Sequence, residues 1–116
     1  IRIMKKYILL FLIVPFFAFS QSNEKSKKET FKVDGNCSMC KKRIEKATLS
    51  IGGVKYVNWN KKTDDLSIIY NNNKVDIEEI RTKIAQSGHD NGEYISAIEV
   101  YDKLPKCCKY RDSEKH

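Results

Sequence analysis

The sequence has few of the residues from which hydrolytic or phosphate-binding sites are built. It contains two histidines and five glycines among 116 residues, and it has no glycine-rich phosphate loop. No nucleophile, base and acid stand in a pattern typical of covalent catalysis. The net charge is +7, but basic and acidic residues are interleaved, which is typical of a solvated surface. The sequence therefore predicts a protein that is not an enzyme and has no nucleic-acid partner.

A long hydrophobic segment is also missing. The one extended apolar run, Tyr7 to Phe19, has about 13 residues, whereas a membrane-spanning helix needs about 20. Lysines precede this run and Ala18-Phe19-Ser20 ends it, as in a signal peptide with its cleavage site. We therefore predict a cleaved signal over residues 1–20, translated from Met4. The mature protein is expected to be exported to the periplasm, without stable membrane insertion.

The rest of the chain divides into three parts by composition. Residues 21–30 contain no apolar side chain and predict a flexible linker, because they cannot bury surface. Residues 31–95 carry the regular apolar spacing of one small domain. Residues 96–116 predict a short helix followed by a tail with two adjacent cysteines.

The spacing of apolar residues predicts an α+β domain with the element order β-α-β-β-α-β. Asp76 and Glu79 have the spacing of a capping box before the second helix, and Ser96 and Glu99 repeat it before a short third helix. The predicted elements are a strand near 31–34, a helix over 38–51, strands at 54–59 and 66–70, a helix over 77–87, a last strand near 91–95 and a helix that ends before Pro105.

The four cysteines stand in two tight clusters, Cys37/Cys40 and Cys107/Cys108. A disulfide within either cluster would close almost no loop and would stabilise the fold little. Cys37 and Cys40 lie where a loop meets a predicted helix, and the free N–H groups of a helix start stabilise thiolates. Two close thiolates favour soft ions of low coordination number, copper(I) or mercury(II), whereas structural zinc takes four ligands. We therefore predict a metal site at Cys37 and Cys40, with copper(I) as the preferred ion.

The residues around this pair resemble the heavy-metal-associated domain family. The similarity is carried by Phe-Lys-Val-Asp-Gly-Asn-Cys-Ser-Met-Cys-Lys-Lys-Arg-Ile-Glu-Lys-Ala from Phe31 to Ala47, by Gly53-Val54 and by the Ser87-Gly88-His89-Asp90 corner. It extends over about residues 30–95. The resemblance implies a ferredoxin-like sandwich, metal held by Cys37 and Cys40, and stepwise thiolate exchange with a metal-transporting or metal-accepting partner. A monomer is expected.

Four features near the pair depart from the family pattern or leave alternatives open. The family usually has Gly-Met-x-Cys, whereas Gly35-Asn36-Cys37 makes the loop one residue shorter. His89 is either a third ligand, a screen over the metal or an exposed loop residue. Met39 is expected to be buried in the loop packing, and the alternative is that it serves as a thioether ligand. The cations Lys41, Lys42 and Arg43 either offset the charge of the dithiolate or form a solvated helix face.

The second cysteine cluster has two interpretations. Cys107 and Cys108 lie on a short tail that can fold over the first pair and add sulfur ligands, or they serve a redox or disulfide role.

Other functions for the first pair also remain open. It can serve thiol–disulfide exchange or form an incidental disulfide in a structural domain. Against the first, Asn36 precedes Cys37 where thioredoxin-like enzymes commonly have an aromatic residue. A zinc site built from Cys37, Cys40, His89 and a tail cysteine is the remaining variant.

Overall fold

The computed structural model describes residues 26–112. Two helices pack with an antiparallel sheet of strand order β1-β3-β2, which is the predicted α+β, ferredoxin-like arrangement. The elements are β1 (Ser26–Lys32), α1 (Ser38–Leu49), β2 (Val54–Trp59), β3 (Asp65–Asn71), α2 (Ile77–Gln86) and α3 (Ile98–Tyr101), followed by a 3-10 turn (Lys106–Cys108).

The core lies between the sheet and the inner faces of the helices. Leu66, Ile68 and Tyr70 alternate along β3 and are buried, as the period of a half-buried strand predicts. In α1, Cys40 and Ile44 occupy successive turns of the buried face. One candidate ligand is therefore part of the hydrophobic core.

The first strand begins five residues earlier than predicted. Ser26 pairs with Asn71 and Phe31 with Leu66, so residues 26–30 belong to the sheet and not to the linker. Backbone pairing does not require apolar side chains, and a lysine-rich strand is a common edge of a sheet. The predicted linker is corrected for these residues. Its remainder, 21–25, and the signal peptide over 1–20 lie outside the described residues.

The predicted last strand at 91–95 is not a strand of the sheet. Within residues 26–112 the sheet has three strands, and Asn91 and Tyr94 form only an isolated bridge with each other. Gly92 adopts a φ of 61° at the tip of this turn. The segment is therefore a tight turn whose two ends pair with each other.

The two predicted capping boxes have different outcomes. Asp76 accepts a hydrogen bond of 2.8 Å from the Glu79 backbone N–H, so the cap of α2 is confirmed. The cap of α3 is wrong, because the helix begins after Ala97 without a side-chain cap. The Ser96 backbone N–H instead donates to Asp90 Oδ1 at 2.7 Å. Across residues 26–112, no helix has the length and apolar content to span a bilayer.

Candidate metal centre

The loop that carries the first cysteine pair rests on one tryptophan. Trp59 is fully buried, and its indole N–H donates to the Val33 carbonyl at 2.9 Å. A Cβ placed on Gly35 would lie 2.8 Å from the Trp59 ring and 3.1 Å from the Cys40 Cβ, so only glycine fits between them. The Asn36 N–H donates to the Cys40 sulfur at 3.3 Å. This shortened loop thus holds Cys40 from both the ring and the backbone.

Cys37 is the half-buried member of the pair. It is the N-cap residue of α1, and its sulfur lies 3.6 Å from that of Cys40. Burial acts to raise the pKa of the Cys37 thiol. Interactions with the Cys107 thiol and with backbone N–H groups of Cys40 and Met39 oppose it and lower that pKa to about 7. A sulfur at the positive end of a helix that ionises near neutral pH is a ready ligand for a soft ion.

A third sulfur comes from the tail. The 3-10 turn brings the fully buried Cys108 to α1, where its sulfur lies 3.7 Å from that of Cys37. The sulfur atoms of Cys37, Cys40 and Cys108 all lie within 4.8 Å of one another. An ion about 2.3 Å from three coplanar sulfurs needs sulfur separations of about 4 Å. The spacing of these three residues, hereafter the three-sulfur group, fits a soft ion with little adjustment.

The Cys108 thiol stays protonated until an ion binds. Burial raises the pKa of the Cys108 thiol well above its usual range, and interactions with Cys40 and Cys37 add to this increase. Cys108 therefore keeps its proton in the metal-free protein. A soft ion that binds here must displace that proton, as thiolate-bound metals do.

One aromatic and one charged residue, Tyr110 and Arg111, hold the tail beside the three-sulfur group. The Tyr110 hydroxyl donates to the Gly88 carbonyl at 2.7 Å and accepts the Asp90 N–H at 2.9 Å. Arg111 forms a bidentate ion pair with Asp90, at 2.8 and 3.0 Å, and donates to the Ser96 carbonyl. Such charge-assisted pairs are strong and directional. They tie the residues after Cys108 to the loop after α2.

The sequence patterns missed the role of Tyr110 and Arg111. Nothing in their local spacing indicates a contact with a loop about 20 residues earlier. The one signal was that an aromatic and a basic residue follow directly on the second cysteine cluster.

His89 is neither an exposed loop residue nor a member of the three-sulfur group. It is fully buried, its Nδ1 lies 2.8 Å from the Asp34 carbonyl, and its ring stacks on Tyr110 with centroids 5.5 Å apart. Among the described residues, only cysteines form the ligand group. Nδ1 therefore carries the proton and donates to Asp34, and Nε2 is buried without a hydrogen-bond partner.

The buried His89 gives the metal-free protein a pH-dependent stability. Burial lowers the pKa of His89 to about 4, with the Asp34 carbonyl and Asp90 opposing this and Arg43 adding to it. Between pH 6.5 and 4 the unfolded chain binds a proton that the folded chain excludes, so the free energy of unfolding falls as pH falls. The full shift corresponds to about 3 kcal/mol. We expect urea unfolding at pH 7.5 and 4.5 to show most of this loss.

The control for this prediction is His89→Gln, which does not titrate. This variant is expected to have a lower free energy of unfolding than the wild type at both pH values. The difference between its values at pH 7.5 and pH 4.5 should be small. An equal fall in the wild type and in His89→Gln would contradict the assignment. Asp90 contributes only at lower pH: although burial acts to raise its pKa, Arg111 holds it below the usual range.

Cys107 and Met39 lie at the rim of the group. The Cys107 sulfur is 3.9 Å from that of Cys108 and 3.4 Å from the Met39 Sδ. Met39 is 51% exposed, so the prediction that it is buried is wrong. It occupies the outer face of the first turn of α1, where the core cannot reach it.

The cations after the pair do not act as one set. Lys41 turns toward β2, donating to the Trp59 carbonyl at 2.7 Å and pairing with Glu45 at 2.8 Å. Lys42 is exposed. Arg43 is partly buried, and its Nε lacks a hydrogen-bond partner. Lys41 therefore links α1 to β2. Lys42 and Arg43 lie instead on the surface of α1 beside Met39.

Comparison with known proteins places this geometry in a family. The model of the heavy-metal-associated domain matches residues 30–90. A CopZ metallochaperone is 28% identical over 57% of this chain and 100% of its own, with a TM-score of 0.55. The water-soluble region of the P-type ATPase CopA from Bacillus subtilis is 28% identical over 60% of this chain and 47% of its own, with a TM-score of 0.56.

A third solved structure is similar in fold alone. Oxidized MerP from Ralstonia metallidurans CH34 is 22% identical over 59% of this chain and 96% of its own, with a TM-score of 0.56. A search of curated proteins found no match. Because the family model covers more than half of the chain, and because the predicted motifs around Cys37 and Cys40 lie within it, the chain belongs to the heavy-metal-associated domain family.

Proposed function

We propose that this protein binds copper(I) through Cys37, Cys40 and Cys108 and passes it to a partner that has its own thiolate site. The observation that carries the proposal is the three-sulfur group, with sulfur separations of 3.6 and 3.7 Å at Cys37. Copper(I) accepts two or three thiolates, and soft sulfur ligands select it. The likeness to a metallochaperone and to the water-soluble region of a P-type ATPase supports transfer as the purpose of binding.

The exposure of the sulfurs suggests the side from which a partner's thiolate approaches the ion. Cys40 and Cys108 are fully buried, whereas Cys37 is half-buried. An incoming thiolate reaches the ion from the side of Cys37, adds to the ion, and replaces the protein's sulfurs one at a time. Each metal–sulfur bond that breaks is replaced by a bond to an incoming thiolate, the Cys108 sulfur takes up a proton from solvent as the ion leaves, and no electron moves. The protein acts as a monomeric carrier and not as an enzyme.

Of the two rival ions, zinc fits the three-sulfur group less well than copper(I), whereas mercury(II) fits it equally. A structural zinc ion takes four ligands, and the described residues supply three in the group, because His89 is turned to Asp34. Mercury(II) shares the preference for thiolates and is separated from copper(I) by supply rather than by geometry. Export is part of the proposal and is supported by the basic, apolar and small-residue pattern of residues 1–20.

The competing function is thiol–disulfide exchange. It is favoured by the pKa of about 7 at Cys37 and by the short distance to the Cys40 sulfur. Metal content and free-thiol count of protein purified from the periplasmic fraction separate the two. Copper with four free thiols after its removal supports the proposal. A fully oxidised, metal-free protein that takes up no copper after reduction contradicts it.

The third ligand has a separate test. In the copper(I)-loaded wild type, X-ray absorption is expected to give three sulfurs per copper, and in Cys108→Ser two. The matched control is Cys107→Ser, which changes the adjacent tail cysteine and is expected to keep three. Two sulfurs in the wild type would show that the tail does not contribute a ligand.

A further inference from the structure

Two sulfur atoms lie outside the three-sulfur group and face each other. The Cys107 Sγ is 3.4 Å from the Met39 Sδ, although the two residues come from the tail and from α1. Neither side chain is part of the buried core: Met39 is half exposed and Cys107 only partly buried. Cys107 packs against the edge of the core, and its thiol donates outward to the half-exposed Met39 sulfur.

We propose that Met39 Sδ and Cys107 Sγ form a second, outer site for a soft monovalent ion. A thioether and a thiolate are both soft donors, and two donors suffice for an ion of low coordination number. Methionine has a flexible, unbranched side chain, so the two sulfurs can separate to admit an ion between them. Binding releases the Cys107 proton to solvent and involves no redox step.

The charge around the outer site suits such an ion. One thiolate, one thioether and one monovalent ion form a neutral unit that needs no further counter-charge. The neighbouring surface of α1 is a cavity of about 580 Å³ lined by Met39, Lys42, Arg43, Lys46, Ala47 and Ser50. Its basic side chains disfavour a divalent ion at the rim, because they would repel the second charge.

The outer site is connected to the inner one through sulfur. The Cys107 sulfur lies 3.9 Å from that of Cys108 and also interacts with that of Cys37. From Met39 inward, successive sulfur atoms are separated by 3.4, 3.9, 3.7 and 3.6 Å. An ion at the outer site can therefore pass to the three-sulfur group from one sulfur to the next. The proposal rests on the proposed function only in sharing its soft cargo.

The test is a titration of the reduced, metal-free full chain with silver(I), a soft monovalent ion that does not change oxidation state. The methionine methyl groups are labelled with carbon-13 and observed by NMR, and the Met39→Leu variant identifies the Met39 signal. The expected result is two bound equivalents. The first equivalent leaves the chemical shift of the Met39 methyl signal unchanged, and the second equivalent changes it.

Two variants make the result specific. Cys107→Ser is expected to keep the first equivalent and lose the second, together with the Met39 shift. Cys37→Ser is expected to weaken the first equivalent instead. The outer site is overturned if Met39 does not shift, if it shifts with the first equivalent, or if its shift persists in Cys107→Ser. Loss of only the second equivalent leaves the proposed function intact, whereas failure of the wild type to hold the first contradicts that function.

Discussion

Cys37→Ser is expected to abolish copper(I) retention by this protein. The Cys37 sulfur lies close to both other sulfurs of the group, 3.6 Å from that of Cys40 and 3.7 Å from that of Cys108. It is also the thiol whose pKa is lowered to about 7. Replacing it with a hard hydroxyl leaves only the two buried sulfurs of Cys40 and Cys108 to hold the ion. Loss of a direct ligand should exceed the roughly 10–100-fold effect typical of residues that only support ligands.

Competition with a chromogenic copper(I) chelator measures this affinity under reducing conditions. Cys107→Ser is the matched control, since it removes one thiol from the adjacent Cys107/Cys108 cluster but none from the three-sulfur group. It should retain the tight site. Equal affinity for the wild type and Cys37→Ser would place the tight site elsewhere. Circular dichroism of both variants establishes that the fold is intact before affinities are compared.

Trp59→Ala is expected to cost about 3–5 kcal/mol of unfolding free energy, the usual range for removing a large aromatic side chain from a core. The ring is fully buried and packs against Gly35 beside the Cys40 side chain. Its loss leaves a cavity under the metal-binding loop and an unpaired carbonyl at Val33. Natural domains have only about 5–15 kcal/mol of stability, so this variant should be marginally folded.

Trp59→Phe separates the ring from its hydrogen bond. It keeps an aromatic ring in the core but removes the indole N–H, and the buried Val33 carbonyl should then cost about 1–3 kcal/mol. Urea denaturation of the reduced, metal-free proteins gives both values. A loss below about 1 kcal/mol in Trp59→Ala would mean that the loop does not depend on this ring.

Several elements were predictable because their causes are local. The alternation of Leu66, Ile68 and Tyr70 predicted β3, and the Asp76 carboxylate caps the helix that it precedes. The predicted last strand failed for the opposite reason. Whether residues 91–95 pair with the sheet or with themselves depends on a partner strand, and Asn91 pairs with Tyr94 instead. Strand pairing is a tertiary choice that an apolar pattern does not encode.

At the candidate metal centre, the sequence alone predicted the pair Cys37 and Cys40, since a CxxC at the start of an amphipathic helix places both thiols on one turn. Only the tertiary structure decided what joins that pair. Cys108 lies 71 positions from Cys37 and reaches it because Tyr110 and Arg111 hold the tail to the loop after α2. His89 was a plausible ligand by position, but burial and the Asp34 carbonyl turn its ring into the core. Spacing along the chain fixes neighbours within a turn of helix, whereas contacts across the fold depend on how every element packs at once.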